Sequence, residues 1–412
     1  MKLGLIGHPL GHSWSPQIHK LLIGADYSKW DLLPEELPSF MTQKDFSGIN
    51  VTIPYKQDVI PYLNSLDETA LKIGAVNCIV HRDDELVGYN TDCIGFMNML
   101  IANGIDVENQ NVALLGSGGA SKAVKFALKK LKAKVSVVSR KQKEGCITYE
   151  TLYEQANQYT CIVNATPVGM YPNTNQMPID IEPFTSCKTV VDIIANPLRT
   201  KLLFEAKLRG MKTLGGFEML VRQAFAADEL FLNRKLDESL NQACMKKLYY
   251  AKRNVVLIGM PTSGKTTIAQ ELGKQLNKQV VEMDDEIEKI LQTSISECFA
   301  TKGESYFREK EKEVAQQLQH TKGCIISCGG GVIKNKETMA ALCENGIVIW
   351  IKRDLESLFS SASRPLTGDE TYMKNLYEER KGLYAQYCDC MIDNNQTIED
   401  ACQQIKKIIG EN

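Results

Sequence analysis

The sequence lacks a charge bias, a long apolar run and any low-complexity segment. Its 412 residues include 48 lysines and arginines against 50 aspartates and glutamates, which leaves a net charge of −2. Proteins that bind nucleic acid usually carry a basic patch, and this balance indicates none. No apolar stretch approaches the ~20 residues of a membrane-spanning helix. We therefore expect small molecules, and neither nucleic acid nor a membrane, as partners; the sequence leaves monomer and homodimer both open.

Cysteine pairs and histidine clusters of the kind that bind structural zinc are also missing. Thirteen cysteines are scattered without a CxxC pair, and there are five histidines. This distribution argues against a structural zinc site and against the disulfide framework of a secreted domain. The apolar part of the opening residues, MKLGLIGH, is too short for a signal peptide and predicts a strand instead. The cytoplasm, a reducing compartment, is the expected location.

What the sequence does contain is a phosphate-binding loop at residues 259–266, which read GMPTSGKT. A strand pattern precedes the loop and a helical pattern follows it, whereas a chance match on a surface loop would need neither. Glycine lets backbone N–H groups turn toward a polyphosphate, and the helix N-terminus adds positive potential. The expected ATP contacts are Gly259, Gly264, Lys265, Thr266 and Thr267. The Thr266 hydroxyl is also the predicted Mg²⁺ ligand.

A second glycine-rich loop, GSGGAS at residues 116–121, follows a buried strand pattern at 112–115. With a helical pattern after it and another strand at 135–138, the loop predicts the opening of a dinucleotide-binding unit. NAD-binding units place a carboxylate after the second strand, but here residues 139–143 read SRKQK. The cations favour NADP, whose 2′-phosphate they can bind; the alternative is a solvated basic turn. The predicted cofactor contacts are Gly116, Gly118, Gly119, Ala120 and Arg140.

Strand and helix patterns alternate along the chain, so the predicted fold class is α/β. Strands are expected at 3–6, 48–53, 75–80, 160–164 and 189–193, and helices at 16–22, 67–71 and 216–240. We predict a substrate-binding domain at residues 1–105, completed by helices at 213–245, and a Rossmann-like domain at 106–212. A linker at 246–252 then leads to a phosphate-loop kinase domain with a central parallel sheet at 253–412.

Residues 1–245 resemble shikimate dehydrogenase. The resemblance rests on motifs in one order: GHSWSP at 11–16, NVTIPYK at 50–56, GAVN at 74–77, NTD at 90–92, NATPVGM at 164–170 and MLVRQ at 219–223. It implies reduction of 3-dehydroshikimate, a ring acid with hydroxyl groups and a ketone. It also implies individual roles: Ser13 and Ser15 on the carboxylate, Thr52, Asn77, Asp92 and Gln223 on the hydroxyls, Lys56 and Asp92 as the catalytic pair, and Thr166 beside NADP.

The chemistry of ketone reduction fits the role that the resemblance gives Lys56. Hydride must reach carbon and a proton must reach oxygen, and the sequence shows no metal-ligand cluster to polarise the carbonyl. An ammonium group can donate a hydrogen bond to the developing charge and pass the proton. Taken alone, Lys56 would be read as an exposed lysine at a strand end. One position departs from the family: Ala195 stands where a substrate-contacting tyrosine is usual, which predicts slower turnover or looser substrate preference.

Residues 253–412 resemble shikimate kinase. Beyond the phosphate loop, the resemblance rests on EMD at 282–284, FR at 307–308, GGG at 329–331, RPL at 364–366, and Arg380 ahead of LY at 383–384. It implies these roles: Asp284 accepts the proton of the attacking hydroxyl, Arg308 and Arg380 bind the ring carboxylate, Gly329, Gly330 and Gly331 offer N–H groups, and Arg364 belongs to a lid over ATP. Glu282 would stand near Mg²⁺ where aspartate is usual, and Thr262 replaces a usual glycine, which predicts a stiffer loop.

Together these patterns predict a bifunctional enzyme of the shikimate pathway, which leads to chorismate and the aromatic amino acids. Its cofactors are NADP(H), ATP and Mg²⁺. One alternative makes one half a non-catalytic shikimate sensor, and the loss at Ala195 is its best support. Another keeps both activities on related substrates, quinate for the first half and a small polyol acid such as gluconate for the second. Without the kinase context, Arg308 and Arg380 would be read as members of solvated, glutamate-rich helix faces.

Overall fold

The computed structural model describes residues 1–11, 13–359 and 370–411 of the chain. The protein forms two compact units, Met1–Lys247 and Leu248–Asn412. Strands and helices alternate in both, which confirms the predicted α/β class. Within the described residues, we find no helix with the length and apolar character needed to cross a bilayer.

The first unit contains two sheets and the helices that cover them. Its strands are β1 (Leu3–Gly7), β2 (Tyr27–Asp31), β3 (Gly48–Val51), β4 (Ser65–Leu66), β5 (Cys78–Arg82), β6 (Glu85–Tyr89), β7 (Asn111–Leu115), β8 (Lys134–Val138), β9 (Cys161–Asn164), β10 (Thr189–Asp192) and β11 (Lys212–Gly215). Its helices are α1 (Ser15–Ile23), α2 (Leu37–Gln43), α3 (Glu68–Ile73), α4 (Thr91–Ala102), α5 (Gly119–Lys130), α6 (Tyr149–Glu154), α7 (Lys201–Leu208), α8 (Phe217–Leu232) and α9 (Glu238–Lys252), the last of which continues into the second unit.

The first sheet has six strands in the order β2-β1-β3-β5-β6-β4, and β5 runs antiparallel to both of its neighbours. Strand β2 was not predicted, because it is an edge strand whose residues are exposed or only half-buried and so lack a strong apolar pattern. The predicted strand at 75–80 was wrong at its start, because pairing begins at Cys78. Upstream of it, the Val76 and Asn77 N–H groups donate to the carbonyls of Lys56 and Tyr89 instead.

The second sheet has five parallel strands in the order β11-β10-β9-β7-β8. Along β7, Val112 and Leu114 pack into one apolar core, whereas Ala113 and Leu115 pack into another. Both faces of the sheet are therefore covered, which explains the unbroken apolar run in the sequence.

Two predicted boundaries differ from the structure. The boundary between 212 and 213 falls inside β11, because Thr213 pairs with Val190 of β10 and keeps this stretch in the sheet. The predicted linker at 246–252 lies inside α9. Cys244 and Leu248 are both buried, and their spacing of four residues places them on one face of that helix.

The second unit is built on one parallel sheet, as predicted. Its strands are β12 (Asn254–Ile258), β13 (Val280–Glu282), β14 (Ile325–Ser327), β15 (Gly346–Lys352) and β16 (Cys390–Asp393), in the order β13-β14-β12-β15-β16. Its further helices are α10 (Lys265–Leu276), α11 (Met283–Leu291), α12 (Ile295–Leu318), α13 (Lys336–Glu344), α14 (Leu355–Phe359), α15 (Glu370–Tyr387) and α16 (Ile398–Ile409). Because the strands are parallel, the loops that follow β12, β13 and β14 meet at one edge of the sheet.

Candidate active sites

In the first unit, Lys56 and Asp92 form an ion pair. Lys56 Nζ lies 2.6 Å from Asp92 Oδ2, and the side chains are 16% and 11% exposed. Asn90 caps α4 by accepting a hydrogen bond from the Cys93 N–H, which places Asp92 in the first turn of the helix. The Lys56 carbonyl accepts the Val76 N–H, so the backbone that carries Lys56 is held in place as well as the helix that carries Asp92. The result is an ammonium group with a fixed direction in a largely desolvated place.

Two side chains, those of Thr91 and Gln223, contact the amide of Asn77. Its Nδ2 donates to Thr91 Oγ1 at 3.0 Å and to Gln223 Oε1 at 3.3 Å, and its Oδ1 accepts the Thr91 N–H at 2.6 Å. The structure thus brings Asn77 and Gln223, predicted as hydroxyl ligands, into contact. Thr91 was missed, although it lies in the NTD triplet of the sequence analysis.

Close packing of α4 on α8 makes this cluster possible. A Cβ built on Gly95 of α4 would lie 2.9 Å from the backbone nitrogen of Gln223 and 2.9 Å from the carbonyl oxygen of Met219. Only glycine allows the two helix backbones to approach this closely.

Ser13 and Ser15 lie at the start of α1, and Thr52 follows β3. The Ser15 N–H donates to Ser13 Oγ at 3.2 Å, and the Thr52 N–H donates to the Ile6 carbonyl at 2.9 Å. Thr52 directly follows Val51, the last residue of β3, which pairs in parallel with Ile6 of β1. Ala195 lies shortly after β10, with its methyl group partly buried.

A buried polar network fixes the loop after β9. Asn164 Oδ1 accepts bonds from the Thr166 N–H and hydroxyl at 3.0 and 2.7 Å. Asn164 Nδ2, the Ile194 N–H and the Thr200 hydroxyl all donate to the Asp192 carboxylate. Burial nevertheless raises the pKa of Asp192 to about 6. Asn164 of β9 and Asp192 of β10 together fix the position of Thr166, a predicted NADP contact.

The glycine-rich loop after β7 has the form of a phosphate cradle. Gly116 has a φ of +104°, and a Cβ there would lie 3.0 Å from the Ala165 carbonyl oxygen. The Ser121 hydroxyl donates to the Gly116 carbonyl at 2.6 Å, so serine at the third motif position closes the turn. Gly118 caps α5, and no described atom lies within 4 Å of a Cβ built on Gly118 or Gly119. Arg140 is exposed just beyond β8, which pairs with β7. Ala120, the remaining predicted contact, is half-buried in the first turn of α5.

In the second unit, the loop after β12 is wound around Lys265. Its Nζ donates to the carbonyls of Gly259 and Met260 at 3.0 and 2.8 Å. Gly259 and Gly264 have φ values of +153° and +92°. Thr262 has a φ of +64°, a backbone conformation that costs a β-branched residue energy. Its hydroxyl donates to the Pro261 carbonyl at 2.6 Å and also lies 3.2 Å from the Leu358 carbonyl of α14, which offsets part of that cost.

Thr266 and Glu282 form the candidate metal environment. The Thr266 hydroxyl donates to Glu282 Oε2 at 3.1 Å and lies 3.5 Å from Ser327 Oγ; Thr267, next along α10, is exposed. Glu282 Oε1 is buried and has no hydrogen-bond partner among the described residues. Burial raises the pKa of Glu282. The described residues contain no cluster of three or more His, Cys, Asp or Glu side chains, so a cation here would rely on phosphate oxygens and water, as Mg²⁺ does.

The three consecutive glycines after β14 each approach a different functional group. A Cβ on Gly329 would lie 2.7 Å from Asp284 Oδ1, and one on Gly330 would lie 2.8 Å from Cδ of Pro261 in the phosphate loop. A Cβ on Gly331 would lie 2.3 Å from Arg308 Nη2. A side chain at any of these positions would displace the carboxylate, the proline ring of the phosphate loop or the guanidinium group.

Arg308 and Arg380 are both held in place. Arg308 Nη1 donates to Glu311 Oε2 at 2.8 Å and Nη2 to Glu304 Oε1 at 3.0 Å, while Arg380 Nη1 donates to the Gly330 carbonyl at 2.9 Å. Glu311 is 1% exposed, so Arg308 faces the interior rather than a solvated surface. Glu311 was not predicted as a partner of Arg308, although its spacing of three residues on one helix pointed to the contact.

Tyr384 supports the same loop. Its hydroxyl donates to the Gly330 carbonyl, which also receives the Arg380 bond, and its ring stacks on Trp350 at 5.7 Å. Burial raises the pKa of Tyr384 to about 12, so it remains a donor at any physiological pH. Arg364, the predicted lid residue, lies outside the described residues.

Comparison with known proteins gives matches to both units. The model of the shikimate dehydrogenase substrate binding domain matches residues 5–79, and that of shikimate kinase matches residues 261–410. The shikimate dehydrogenase (NADP(+)) of Clostridium beijerinckii is 39% identical over 256 residues, which are 58% of this chain and 94% of that protein.

Solved structures match the first unit. A chorismate mutase/shikimate 5-dehydrogenase fusion protein from Clostridium acetobutylicum is 37% identical, with a TM-score of 0.56 over 60% of this chain and 96% of that one. The shikimate 5-dehydrogenase of Thermus thermophilus, solved in complex with NADP(H) and shikimate, is 31% identical, with a TM-score of 0.56 over 60% of this chain and 99% of that one.

Proposed function

The chain belongs to the shikimate dehydrogenase family and also carries a shikimate kinase domain, and from this premise we propose that it catalyses two consecutive reactions. The first unit reduces 3-dehydroshikimate to shikimate with NADPH, and the second phosphorylates shikimate to shikimate 3-phosphate with ATP. The observation that carries the proposal is the presence of two separate residue sets suited to one ring acid: Lys56 with Asp92 in the first unit, and Arg308 with its glycine loop in the second.

In the reduction, Lys56 acts as the proton donor to the ketone oxygen. Asp92 orients its ammonium group toward the ring and offers a carboxylate oxygen to the neighbouring hydroxyl. Asn77, Thr91 and Gln223 bind the ring hydroxyls, and because these side chains already bind one another, little ordering is needed when substrate enters. Ser13 and Ser15 bind the carboxylate at the start of α1, where the helix dipole favours an anion, and Thr52 adds a hydroxyl contact.

NADP(H) supplies the hydride when bound. Gly116, Gly118, Gly119 and Ala120 would hold its pyrophosphate at the N-terminus of α5, where the loop leaves the backbone open. Arg140 accounts for the choice of NADP over NAD, because an exposed guanidinium group beyond β8 matches a 2′-phosphate. Thr166, held by the buried amide of Asn164, completes the set.

In the phosphorylation, Asp284 orients the attacking hydroxyl and accepts its proton. Arg308 and Arg380 bind the ring carboxylate on either side of the glycine loop, with the planar donor pairs that a carboxylate requires. Lys265 is already turned into the phosphate loop and exchanges its carbonyl partners for phosphate oxygens. ATP with Mg²⁺ supplies the phosphoryl group when bound, and Thr266 and Glu282 would hold the metal ion directly or through water.

The domain limits follow the same proposal. Residues 1–105 with the helices of the 213–245 region form the substrate domain, and 106–212, extended by β11 to Gly215, form the NADP domain. Residues 253–412 form the kinase domain. All thirteen cysteines are free, which suits a reducing compartment, so we place the enzyme in the cytoplasm.

Two assays on one purified chain test the proposal. NADPH oxidation should require 3-dehydroshikimate, and ADP release should require shikimate. Lys56→Ala should abolish the first activity alone, and Asp284→Asn should lower chiefly the second. Lys72→Ala and Glu313→Gln are the matched controls, because both residues form solvent-accessible ion pairs with a neighbour on their own helix and lie outside the two sites.

The outcomes separate the alternatives. Oxidation of quinate but not of shikimate by NADP⁺ would reassign the first unit, and ADP release with gluconate alone would reassign the second. An inactive wild-type unit that still binds shikimate would make that unit a sensor. Loss of both activities in either single variant would contradict the independence of the two sites.

A further inference from the structure

A buried hydrogen-bonded pair of ionisable side chains, His19 and Asp228, plays no part in the mechanism above. His19 Nδ1 lies 2.6 Å from Asp228 Oδ1, and the two side chains are 1% and 0% exposed. The other polar atoms of the pair, His19 Nε2 and Asp228 Oδ2, have no hydrogen-bond partner among the described residues. Two ionisable groups taken out of water with half of their bonding capacity unused are expensive, and an apolar pair of similar volume is commonly as stable or more so. The pair therefore calls for a role beyond packing.

The helices that carry the pair also carry substrate ligands. His19 lies one turn after Ser15 on α1, and Asp228 lies on α8 together with Gln223. The hydrogen bond therefore fixes the position of the proposed carboxylate-binding helix against the helix that provides a hydroxyl ligand.

A chain of contacts connects the same pair to Asn77. The His19 ring stacks on Tyr27 with centroids 4.1 Å apart and an interplanar angle of 10°. The Tyr27 hydroxyl donates to Asn50 Oδ1 at 2.7 Å, and Asn50 Nδ2 donates to the Asn77 carbonyl at 3.3 Å.

Asn77 closes the circuit, because its own amide donates to Gln223 Oε1 at 3.3 Å. The contacts run from Gln223 along α8 to Asp228, across to His19 and Tyr27, through Asn50 to Asn77, and back to Gln223. A displacement at any member is transmitted to the two hydroxyl ligands on this circuit, because the interior is close-packed.

We propose that His19 and Asp228 are positioning residues of the dehydrogenase, which set the spacing among the groups that bind the hydroxylated ring acid. The inference rests on the proposed function of the first unit. The pair should therefore affect the affinity for substrate. It should not affect NADPH binding or the kinase, because none of the connected residues lies in the glycine-rich loop before α5 or in the second unit.

Because the pair is buried, the Asp228 carboxylate and the His19 ring each need the other as a partner. Burial raises the pKa of Asp228, and the His19 ring opposes that rise. The pKa values of the neighbouring Tyr27 and Cys78 are raised as well, chiefly by burial and in part by the Asp228 charge. Without His19, the carboxylate would have to protonate or move, and α8 would move with it.

The test uses the full chain with Asp228→Asn, which keeps the shape of the side chain and removes its charge. We expect the KM for 3-dehydroshikimate to rise roughly tenfold, the effect of losing or misplacing one ligand hydrogen bond. The KM for NADPH and the kinase activity of the same chain should stay within about twofold. Asp26→Asn is the matched control, because Asp26 is fully exposed and pairs with Lys20 on the same helix as His19.

Two further variants separate positioning from stability. Tyr27→Phe keeps the stacked ring but removes the bond to Asn50, and should raise the same KM about threefold. The double variant His19→Phe with Asp228→Leu makes the site apolar, and should recover the melting temperature while the KM stays high.

The contrary result is a lower melting temperature with unchanged KM in folded Asp228→Asn and Tyr27→Phe, which would show that the pair only holds the core together. A double variant that restores both melting temperature and KM would also overturn the inference. If the wild type itself does not oxidise NADPH with 3-dehydroshikimate, the proposed function fails and the inference falls with it; that outcome is recognised from the wild type alone.

Discussion

Replacing Gly331 with alanine probes the kinase site through a single methyl group. The new Cβ would lie 2.3 Å from Nη2 of Arg308 and 3.0 Å from its Cζ, both closer than ordinary van der Waals contact. Gly331 itself has a φ of −105°, which alanine adopts without strain. The substitution therefore acts on the guanidinium group and leaves the backbone of the loop as it is.

The size of the effect follows from the displacement. The guanidinium group must move by about 1 Å to restore normal contact, which breaks the alignment of a paired carboxylate bond. The loss of one charge-assisted hydrogen bond costs about 1.5–3 kcal/mol, or roughly 10- to 150-fold in the KM for shikimate. The kcat should change much less, because Asp284 and the phosphate loop contact other glycines of the triplet.

The assay measures ADP release with shikimate varied at saturating ATP. Dehydrogenase activity of the same preparation reports that the chain is folded. Gly382→Ala is the matched control, because no described atom lies within 4 Å of a Cβ built on that exposed residue of α15. Alanine there should add about 0.5–1 kcal/mol of stability and leave the KM unchanged.

An unchanged KM for shikimate in active Gly331→Ala would refute the reasoning. It would mean that Arg308 does not bind the substrate carboxylate, or that it binds from a position that the methyl group does not obstruct. A loss of kcat with unchanged KM would be equally contrary, since it would place Arg308 in the transfer step instead of in substrate binding.

Three further predictions concern packing and charge. Gly95→Ala should push α4 away from Gln223 and cost about 1–3 kcal/mol of unfolding free energy, with a higher KM for 3-dehydroshikimate; wild-type values for both would contradict the helix-contact argument. Thr262→Val should lose about 1 kcal/mol in urea unfolding because the hydroxyl that bonds the Pro261 and Leu358 carbonyls disappears, while Thr262→Ser keeps it, and equal stabilities of the two variants would exclude that role. Burial raises the pKa of Asp192 to about 6, so its protonated form contributes stability below about pH 4 that is lost as the pH rises through 6. Relative to Asp192→Asn, the wild type should lose about 2.5 kcal/mol between pH 4 and pH 7, and parallel pH profiles would contradict this pKa.

Most of the features that could be predicted from the sequence are local motifs. The loops at Gly116 and Gly264 are defined by residues within a few positions of each other, and their left-handed φ values follow from glycine itself. The continuous apolar run of β7 likewise indicated a strand buried on both faces. The fold class could be predicted for the same reason, because it depends on alternating local patterns.

Contacts between distant residues could not be predicted in this way. His19 and Asp228 are 209 positions apart, and neither belongs to a motif with a known chemical role. The edge strands β2 and β11 were missed because an edge strand is buried on fewer sides and lacks a strong apolar pattern. Glu311 was overlooked because a glutamate on a charged helix is usually solvated, and only the tertiary packing of α12 buries it.

Isothermal titration of the full chain with shikimate tests the central claim, that one polypeptide holds two separate pockets for the same ring acid. The account predicts two binding sites per chain, of which Arg308→Met removes one and Ser15→Ala weakens the other. A single site per chain in the wild type, or a single variant that abolishes all binding, would contradict it.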